Sequence, residues 1–341
     1  MVLHAKYKVA AVQAAPVFLD TDATVDKVCK LVDEAAANGA KLIAFPEAMI
    51  PGYPQWLWMR PAYDWMPFYQ KLYDQAVVIP GPQIAKLSEA ARRNKVYYSI
   101  SMTEREGMSL YLTQVMFDPE GNLLGKHRKF KASVNEKIIW ADGGADMMPV
   151  YETPLGNIGG AQCWNNAIPQ VILGYAAKNE QVHISAWPIY QDESAGHNLY
   201  GARDCEIVAR YYAMATCTFS LMTTSIFTQE MIDMLCETEE QYATLAPGGG
   251  CTRIFAPNGD VLASIPGDEE GIIYADIDLD DIVPQKYLND PAGMYSFPKD
   301  FRLYVDQRPK KTVTFIGEGT DNSISYAEIQ DINDAKKNAK K

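Results

Sequence analysis

The stretch Ile158-Gly159-Gly160-Ala161-Gln162-Cys163-Trp164-Asn165-Asn166-Ala167-Ile168-Pro169 decides how this chain is read. Its small residues describe a strand that ends at Cys163, and Pro169 stands where a first helical turn begins. At such a strand-to-helix elbow a cysteine reaches the end of the sheet and lies near helix N-terminal amides. Those amides favour a thiolate and stabilise an oxyanion. The competing reading is a buried small hydrophobe, the ordinary state of a free cysteine.

Two further segments bear on that choice. In Leu42-Ile43-Ala44-Phe45-Pro46-Glu47-Ala48-Met49-Ile50-Pro51-Gly52-Tyr53-Pro54 an apolar strand runs into a carboxylate and then a Pro/Gly turn. Desolvation there raises the Glu47 pKa, which suits a general base; the alternative is an exposed strand-end glutamate. In Gly125-Lys126-His127-Arg128-Lys129-Phe130-Lys131-Ala132-Ser133-Val134-Asn135-Glu136-Lys137 a basic run follows a hairpin strand. Basic runs are usually solvated faces, but the apolar residues interleaved here are compatible with one lysine pointing inward.

The rest of the chain alternates strand and helix signals. Lys8–Ala15 reads as a strand, and Thr21–Asn38 as an amphipathic helix capped by Asp20 or Thr21 and stopped by Gly39. Lys41–Phe45 is a buried strand, Gln83–Asn94 a helix and Val96–Met102 a strand. Strands near 158–163, 182–187 and 217–223 alternate with helices near 169–179 and 200–215. Two hairpin turns nearly repeat one another, Phe117-Asp118-Pro119-Glu120-Gly121-Asn122 and Phe255-Ala256-Pro257-Asn258-Gly259-Asp260. Both fit type I-based connections, and their recurrence suggests two similar half-sheets. Residues 1–305 read as one domain. Residues 306–341 read as a polar C-terminal tail with an apolar burst at Val313–Ile316, making a subunit contact and then losing order towards Lys341.

Together the three segments resemble the nitrilase superfamily of carbon-nitrogen hydrolases, and within it the nitrilase branch. The likeness runs from Val9–Ala14 to Asp290–Tyr295. Lys131-Ala132-Ser133-Val134, Met147-Met148-Pro149-Val150 and Met234-Leu235-Cys236-Glu237-Thr238 are similar to bacterial nitrilases and cyanide dihydratases. The resemblance implies a four-layer α-β-β-α sandwich and a Glu-Lys-Cys triad on Glu47, Lys129 and Cys163, with a second glutamate at Glu136, seven residues after the lysine. In the implied chemistry Glu47 is the base, Cys163 the nucleophile, Lys129 with the Trp164 amide the charge-stabilising donors, and Glu136 the brace of Lys129. Candidate substrate-binding residues are Tyr53, Trp164, Asn165, Trp187 and Pro188; Tyr53 and Trp187 read equally as packing residues. The implied reaction converts a small-molecule nitrile to a carboxylic acid and ammonia. Alternatives are cyanide conversion to formate, amide hydrolysis, or a non-catalytic scaffold that kept the fold. Self-assembly from dimers to spirals or filaments is also implied.

One position departs from the branch, which usually carries Cys-Trp-Glu where this chain has Cys163-Trp164-Asn165. A carboxylate there would stabilise the protonated nitrogen that leaves as ammonia, so Asn165 is expected to release more amide by-product. The alternative is that Asn165 braces the helix start.

Composition narrows the remaining classes. The 341 residues are 48% hydrophobic, ordinary for a globular core, and the net charge of −12 argues against nonspecific nucleic-acid binding. No apolar run approaches the ~18 residues of a membrane span. The N-terminus lacks a signal-peptide h-region, and a cytoplasmic location is the simplest expectation. The cysteines at 29, 163, 205, 217, 236 and 251 show no framework spacing, which fits a reducing compartment. The histidines at 4, 127, 183 and 197 show no metal spacing. No phosphate-binding glycine motif is present. Neither a metal nor a cofactor is expected.

Overall fold

The computed structural model describes residues 4–189, 201–309 and 313–338; His197 and residues 339–341 lie outside them. The strands are β1 (Lys6–Gln13), β2 (Ala40–Ala44), β3 (Tyr97–Glu106), β4 (Ser109–Phe117), β5 (Leu123–Arg128), β6 (Val150–Thr153), β7 (Gly156–Gln162), β8 (Val182–Ala186), β9 (Phe219–Thr223), β10 (Arg253–Phe255), β11 (Val261–Ser264) and β12 (Gly271–Asp278). The helices are α1 (Thr21–Ala37), α2 (Met66–Asp74), α3 (Pro82–Asn94), α4 (Pro169–Ala177), α5 (Ala202–Thr216), α6 (Gln229–Leu235), α7 (Glu239–Tyr242), α8 (Ile282–Leu288) and α9 (Tyr326–Asn338).

Two six-stranded sheets carry the fold, ordered β12-β1-β2-β3-β4-β5 and β11-β10-β9-β8-β7-β6. In each, three parallel strands (β1-β2-β3 and β7-β8-β9) continue into an antiparallel meander (β3-β4-β5 and β9-β10-β11). The remaining edge strand of each sheet, β12 or β6, is also antiparallel. The two sheets therefore repeat one topology. The two similar hairpin turns fall at the same place in each half. Gly121 and Gly259 both close them with a positive φ, 86° and 84°, which suits glycine.

Period-two side-chain alternation builds the layers. From β1, Val9 and Ala11 enter a core shared with Leu42, Ile158, Val182, Ile184, Phe219 and Leu221, between the two sheets. Ala10 and Val12 point the other way, into a core shared with Val25, Val28 and Val32 of α1 and Ile84 and Leu87 of α3. On the far side of the second sheet, Ala161 packs with Val171, Ile172 and Tyr175 of α4 and Tyr212 of α5. The order is helix, sheet, sheet, helix, as the resemblance implied. Helix α1 starts where its cap predicts: the Asp20 carboxylate accepts the Ala23 amide at 2.9 Å.

The chain forms two compact units, Met1–Arg308 and Pro309–Lys341. In the second, Val313, Phe315 and Ile316 are exposed. Helix α9, absent from the sequence reading, extends through Asn338, so residues 336–338, expected to lose order, are helical. Its start carries a local cap: Ser325 Oγ donates to the Glu328 carboxylate at 2.8 Å, and that carboxylate accepts the Ser325 amide at 2.8 Å.

Candidate active site

Four separate segments deliver the four expected charged or nucleophilic residues to one end of the sheets. Beyond β2, the Glu47 amide donates to the Trp187 carbonyl at 3.0 Å and the Ala48 amide to Ser101 Oγ at 3.0 Å. The first of these bonds reaches across to the second sheet. Lys129 follows β5 directly; its amide donates to Leu112 O at 2.9 Å and its carbonyl accepts from Gly143 at 2.7 Å. Glu136 lies in a one-turn 3₁₀ helix, Val134–Ile138, capped by Ser133, whose amide donates to Glu136 Oε2 at 2.7 Å. Cys163 directly follows β7 with φ at +51°, a left-handed backbone that costs a non-glycine residue about 1–3 kcal/mol. The helix expected near 169–179 is α4, which starts at Pro169; a 3₁₀ turn, Cys163–Ala167, which the sequence reading did not give, joins it to β7. The amides nearest the cysteine are those of the short turn.

The side chains converge in a buried cluster. Glu47, Lys129, Glu136 and Cys163 are each at most 3% exposed. The Lys129 ammonium donates to Glu47 Oε1 at 3.0 Å and Glu136 Oε2 at 2.8 Å. Cys163 Sγ and one carboxylate oxygen from each glutamate lie within 4.8 Å of one another. Glu47 Oε2 has no hydrogen-bond partner among the described residues. One ammonium thus serves two carboxylates and a thiol. Burial pushes the Glu47 carboxyl up to about 8; the facing Lys129 charge opposes this and Glu136 adds to it. Burial also works against the Lys129 ammonium, but Cys163, Glu136 and Glu47 outweigh it and hold its pKa above the ordinary lysine range.

Of the other expected residues, Tyr53 is committed to this network. Its hydroxyl donates to Glu136 Oε1 at 2.9 Å and accepts from Trp58 Nε1 at 3.2 Å. Burial lifts the phenol well above its usual pKa, and Glu136 adds to the shift. Trp187 is fully buried, meets Trp164 edge to face at 6.0 Å and donates to Ser185 Oγ at 2.8 Å. It packs in the same cluster as Cys163 while its carbonyl holds the Glu47 amide. Pro188 is buried next to it, and Trp164 is half-buried. Trp58 lies in the loop 55–59, whose bulky apolar residues follow Glu47 and read either as pocket lining or as loop packing; the role of Ser133 was not anticipated. Ser133-Val134-Asn135-Glu136 matches the capping-box spacing and was legible as such; the Trp58–Tyr53 bond had no sequence signal.

Asn165 turns out to brace the neighbouring loop. Its Oδ1 accepts the Lys131 amide at 3.1 Å and its Nδ2 donates to the Lys131 carbonyl at 3.0 Å, two residues beyond Lys129. Both polar atoms bond that backbone, which supports a bracing role as the alternative to the expected one in product partition. A glutamate here would set a carboxylate against the Lys131 carbonyl. Asn165→Glu and Asn165→Ala are therefore expected to lower stability by about 1–3 kcal/mol each, with the acid-to-amide ratio unchanged. Thermal unfolding and chromatography of both products check this; a shift toward acid in a folded Asn165→Glu protein would support the partition role.

Three donors this close could share a cation, but the Lys129 ammonium already bonds both carboxylates, supplying the positive charge a metal would bring.

Comparison with known proteins agrees with the geometry. The carbon-nitrogen hydrolase family profile matches residues 8–287. A nitrilase of Bacillus sp. (strain OxB-1) is 51% identical over 328 residues, covering 96% of each chain. An aliphatic nitrilase of Rhodococcus rhodochrous is 37% identical over 310 residues, covering 89% of this chain and 83% of the relative. Among solved structures, Saccharomyces cerevisiae Nit3, a member of branch 10 of the nitrilase superfamily, superposes with a TM-score of 0.67 at 19% identity. It covers 87% of this chain and 99% of its own, and that likeness supports the fold. By sequence, by sheet topology and by the carboxylate-ammonium-thiol pocket, the chain belongs to the carbon-nitrogen hydrolase family, in its nitrilase branch.

Proposed function

We propose that the protein is a nitrilase, converting an organic nitrile and two waters to a carboxylic acid and ammonia. The observation that carries this is the Cys163 thiol within 4.8 Å of two carboxylates that share the Lys129 ammonium. It sits on a chain 51% identical to a nitrilase.

A nitrile carbon is a weak electrophile, and a thiolate is the strongest nucleophile side chains offer near neutral pH. Glu47 takes the Cys163 proton at its free Oε2, and sulfur attacks the carbon. The nitrile nitrogen takes up that proton, giving a thioimidate. Water, relieved of a proton by Glu47, adds to the carbon. Glu47 passes that proton to the nitrogen, which takes a second from the new hydroxyl as the C=O forms and leaves as ammonia. A thioester remains, and Glu47 is again a base. A second water, activated the same way, releases the acid and returns the proton to sulfur. Lys129 stabilises the charge that develops at each addition, with the Trp164 amide as second donor. Glu136, held by Tyr53 and Ser133, keeps Lys129 on target.

The test is ammonia release from cyanide, an aliphatic nitrile, an aromatic nitrile, an arylacetonitrile and a simple amide. Turnover of at least one organic nitrile well above the amide supports the reading. Activity on cyanide alone would make the enzyme a cyanide dihydratase, and preference for the amide an amidase. A pH profile reads the base. With Glu47 held near 8, lowering pH protonates the base, so kcat/KM is expected to fall as pH drops through about 8 and to level off above it. A profile flat from about pH 6 to about pH 10, roughly two units either way, would remove Glu47 from that role.

The catalytic domain of this reading is residues 1–305. Assembly into at least a dimer, building to a spiral or filament, is part of it. Support comes from exposed apolar residues, Ile207, Tyr211 and Met214 on α5 and Val313, Phe315 and Ile316 in the second unit. Light scattering on the intact protein is expected to exceed the monomer mass of 38.0 kDa; a fully active monomer would refute it. A cytoplasmic location is supported by six cysteines of which none forms a disulfide among the described residues. No helix among the described residues is long and apolar enough to cross a membrane.

A further inference from the structure

Behind the nucleophile lies a buried polar chain that the reaction does not use. Asn166 Nδ2 donates to the Cys163 carbonyl at 2.8 Å and is 3.2 Å from the Ala161 carbonyl. Asn166 Oδ1 lies 2.6 Å from His183 Nε2, and His183 Nδ1 lies 2.8 Å from Glu180 Oε1. Glu180 Oε2 accepts the Tyr212 hydroxyl at 2.6 Å. The Tyr212 ring stacks on the imidazole at 3.7 Å, and Tyr175 meets it edge-on at 5.8 Å. Asn166, His183, Tyr175 and Tyr212 are fully buried and Glu180 is 3% exposed. Gly159, paired with His183 across β7 and β8, leaves room for the carboxylate: a Cβ there would lie 2.0 Å from Glu180 Oε1.

The hydrogen bonds orient themselves. Two carbonyls beside Nδ2 force the Asn166 amide to donate toward Cys163 and to accept toward His183. His183 Nε2 must then carry a proton, and the 2.8 Å contact on the other side needs a second proton shared between Nδ1 and Glu180 Oε1, which orients the ring. The chain ends on the carbonyl of a residue held at φ +51°. Without a tether on that carbonyl the elbow can relax toward the β region, carrying Sγ off its line to Glu47 and Lys129.

We infer that Glu180, His183 and Asn166 are positioning residues that lock the Cys163 elbow in its left-handed conformation and so aim the thiol at the substrate carbon. This rests on the nitrilase reading of the same site.

Kinetics and alkylation test it together. Asn166→Asp replaces the donor by an acceptor facing two carbonyls, and His183→Met deletes the Nε2 donor. Both are expected to lower kcat at least about tenfold with KM within about threefold. Alkylation of Cys163 by iodoacetamide should slow in proportion. His183→Gln retains an N–H for Asn166 and is expected to recover a good part of both rates. Folded variants with kcat within about twofold of wild type, or equal losses for His183→Gln and His183→Met, would overturn the proposal. Alkylation needs no nitrile, so this arm stands even if the enzyme prefers another carbon-nitrogen substrate. Should the variants not fold, ¹⁵N resonances of the wild-type protein decide: His183 Nε2 is expected to be protonated, and an unprotonated Nε2 would overturn the relay.

Discussion

Cys163→Ala is expected to reduce ammonia release by at least about 10⁴-fold, the scale on which removing a covalent nucleophile acts. The fold should survive. Alanine tolerates the left-handed position no worse than cysteine does, and only one buried sulfur is lost. The other five cysteines form the control. Cys205 and Cys251 pack in the same cluster as Cys163, so replacing them should cost about 1 kcal/mol of stability while most turnover remains. Burial pushes the Cys251 thiol up to about 11 and raises those of Cys29, Cys217 and Cys236, which keeps them protonated and slow towards iodoacetamide. Near wild-type ammonia release from Cys163→Ala would end the mechanism.

Lys129→Met is expected to damage both activity and stability. The activity loss should be at least about 10²-fold, since the charge facing the developing anion disappears. The stability loss should reach about 3–5 kcal/mol, the usual result of removing one partner from a buried ion pair. Here one ammonium serves two carboxylates at 3.0 and 2.8 Å, so its loss leaves Glu47 and Glu136 facing one another. The pH dependence carries a sign. Burial already raises the Glu47 pKa, and only Lys129 opposes it. Without Lys129 the folded-state pKa rises further above the unfolded value, so the folded protein gains from protonation. The deficit in Tm against wild type should therefore be smaller near pH 5 than near pH 9. A deficit independent of pH, or a loss of activity under about fivefold, would take Lys129 out of the site's electrostatics.

Several features of this protein could be read directly. The Asp20 cap, the amphipathic run of α1 and the paired Pro-x-Gly turns were legible because each depends on residues a few positions apart. Boundaries slipped where tertiary pairing extended an element: β3 runs on to Glu106 because it pairs with β4 down to Ser109. The helix start at Pro169 was legible because proline suits a first helical turn, whereas the 3₁₀ turn Cys163–Ala167 before it had no signal of its own. Tyr53 and Asn165 were expected near the substrate, and the partners their polar atoms take, Glu136 and the Lys131 backbone, had no sequence signal.

Local chemistry in the sequence thus determined the alternation of strand and helix and the repeated half-sheet, while the choice of Glu47, Lys129, Glu136 and Cys163 as one set came from the resemblance of three motifs taken together. Tertiary structure decided what each of those groups touches. The Lys129–Glu47 bond joins residues 82 apart and the Tyr53–Glu136 bond residues 83 apart. No local pattern specifies such pairs, because a side chain's partner depends on which segments the two sheets bring to one end. The same holds for the proton on His183, which follows from the orientation of Asn166 and hence from two backbone carbonyls placed by β7. Burial did the rest: removal of water turned a carboxylate, an ammonium and a thiol into a site in which a single missing charge shifts all the others.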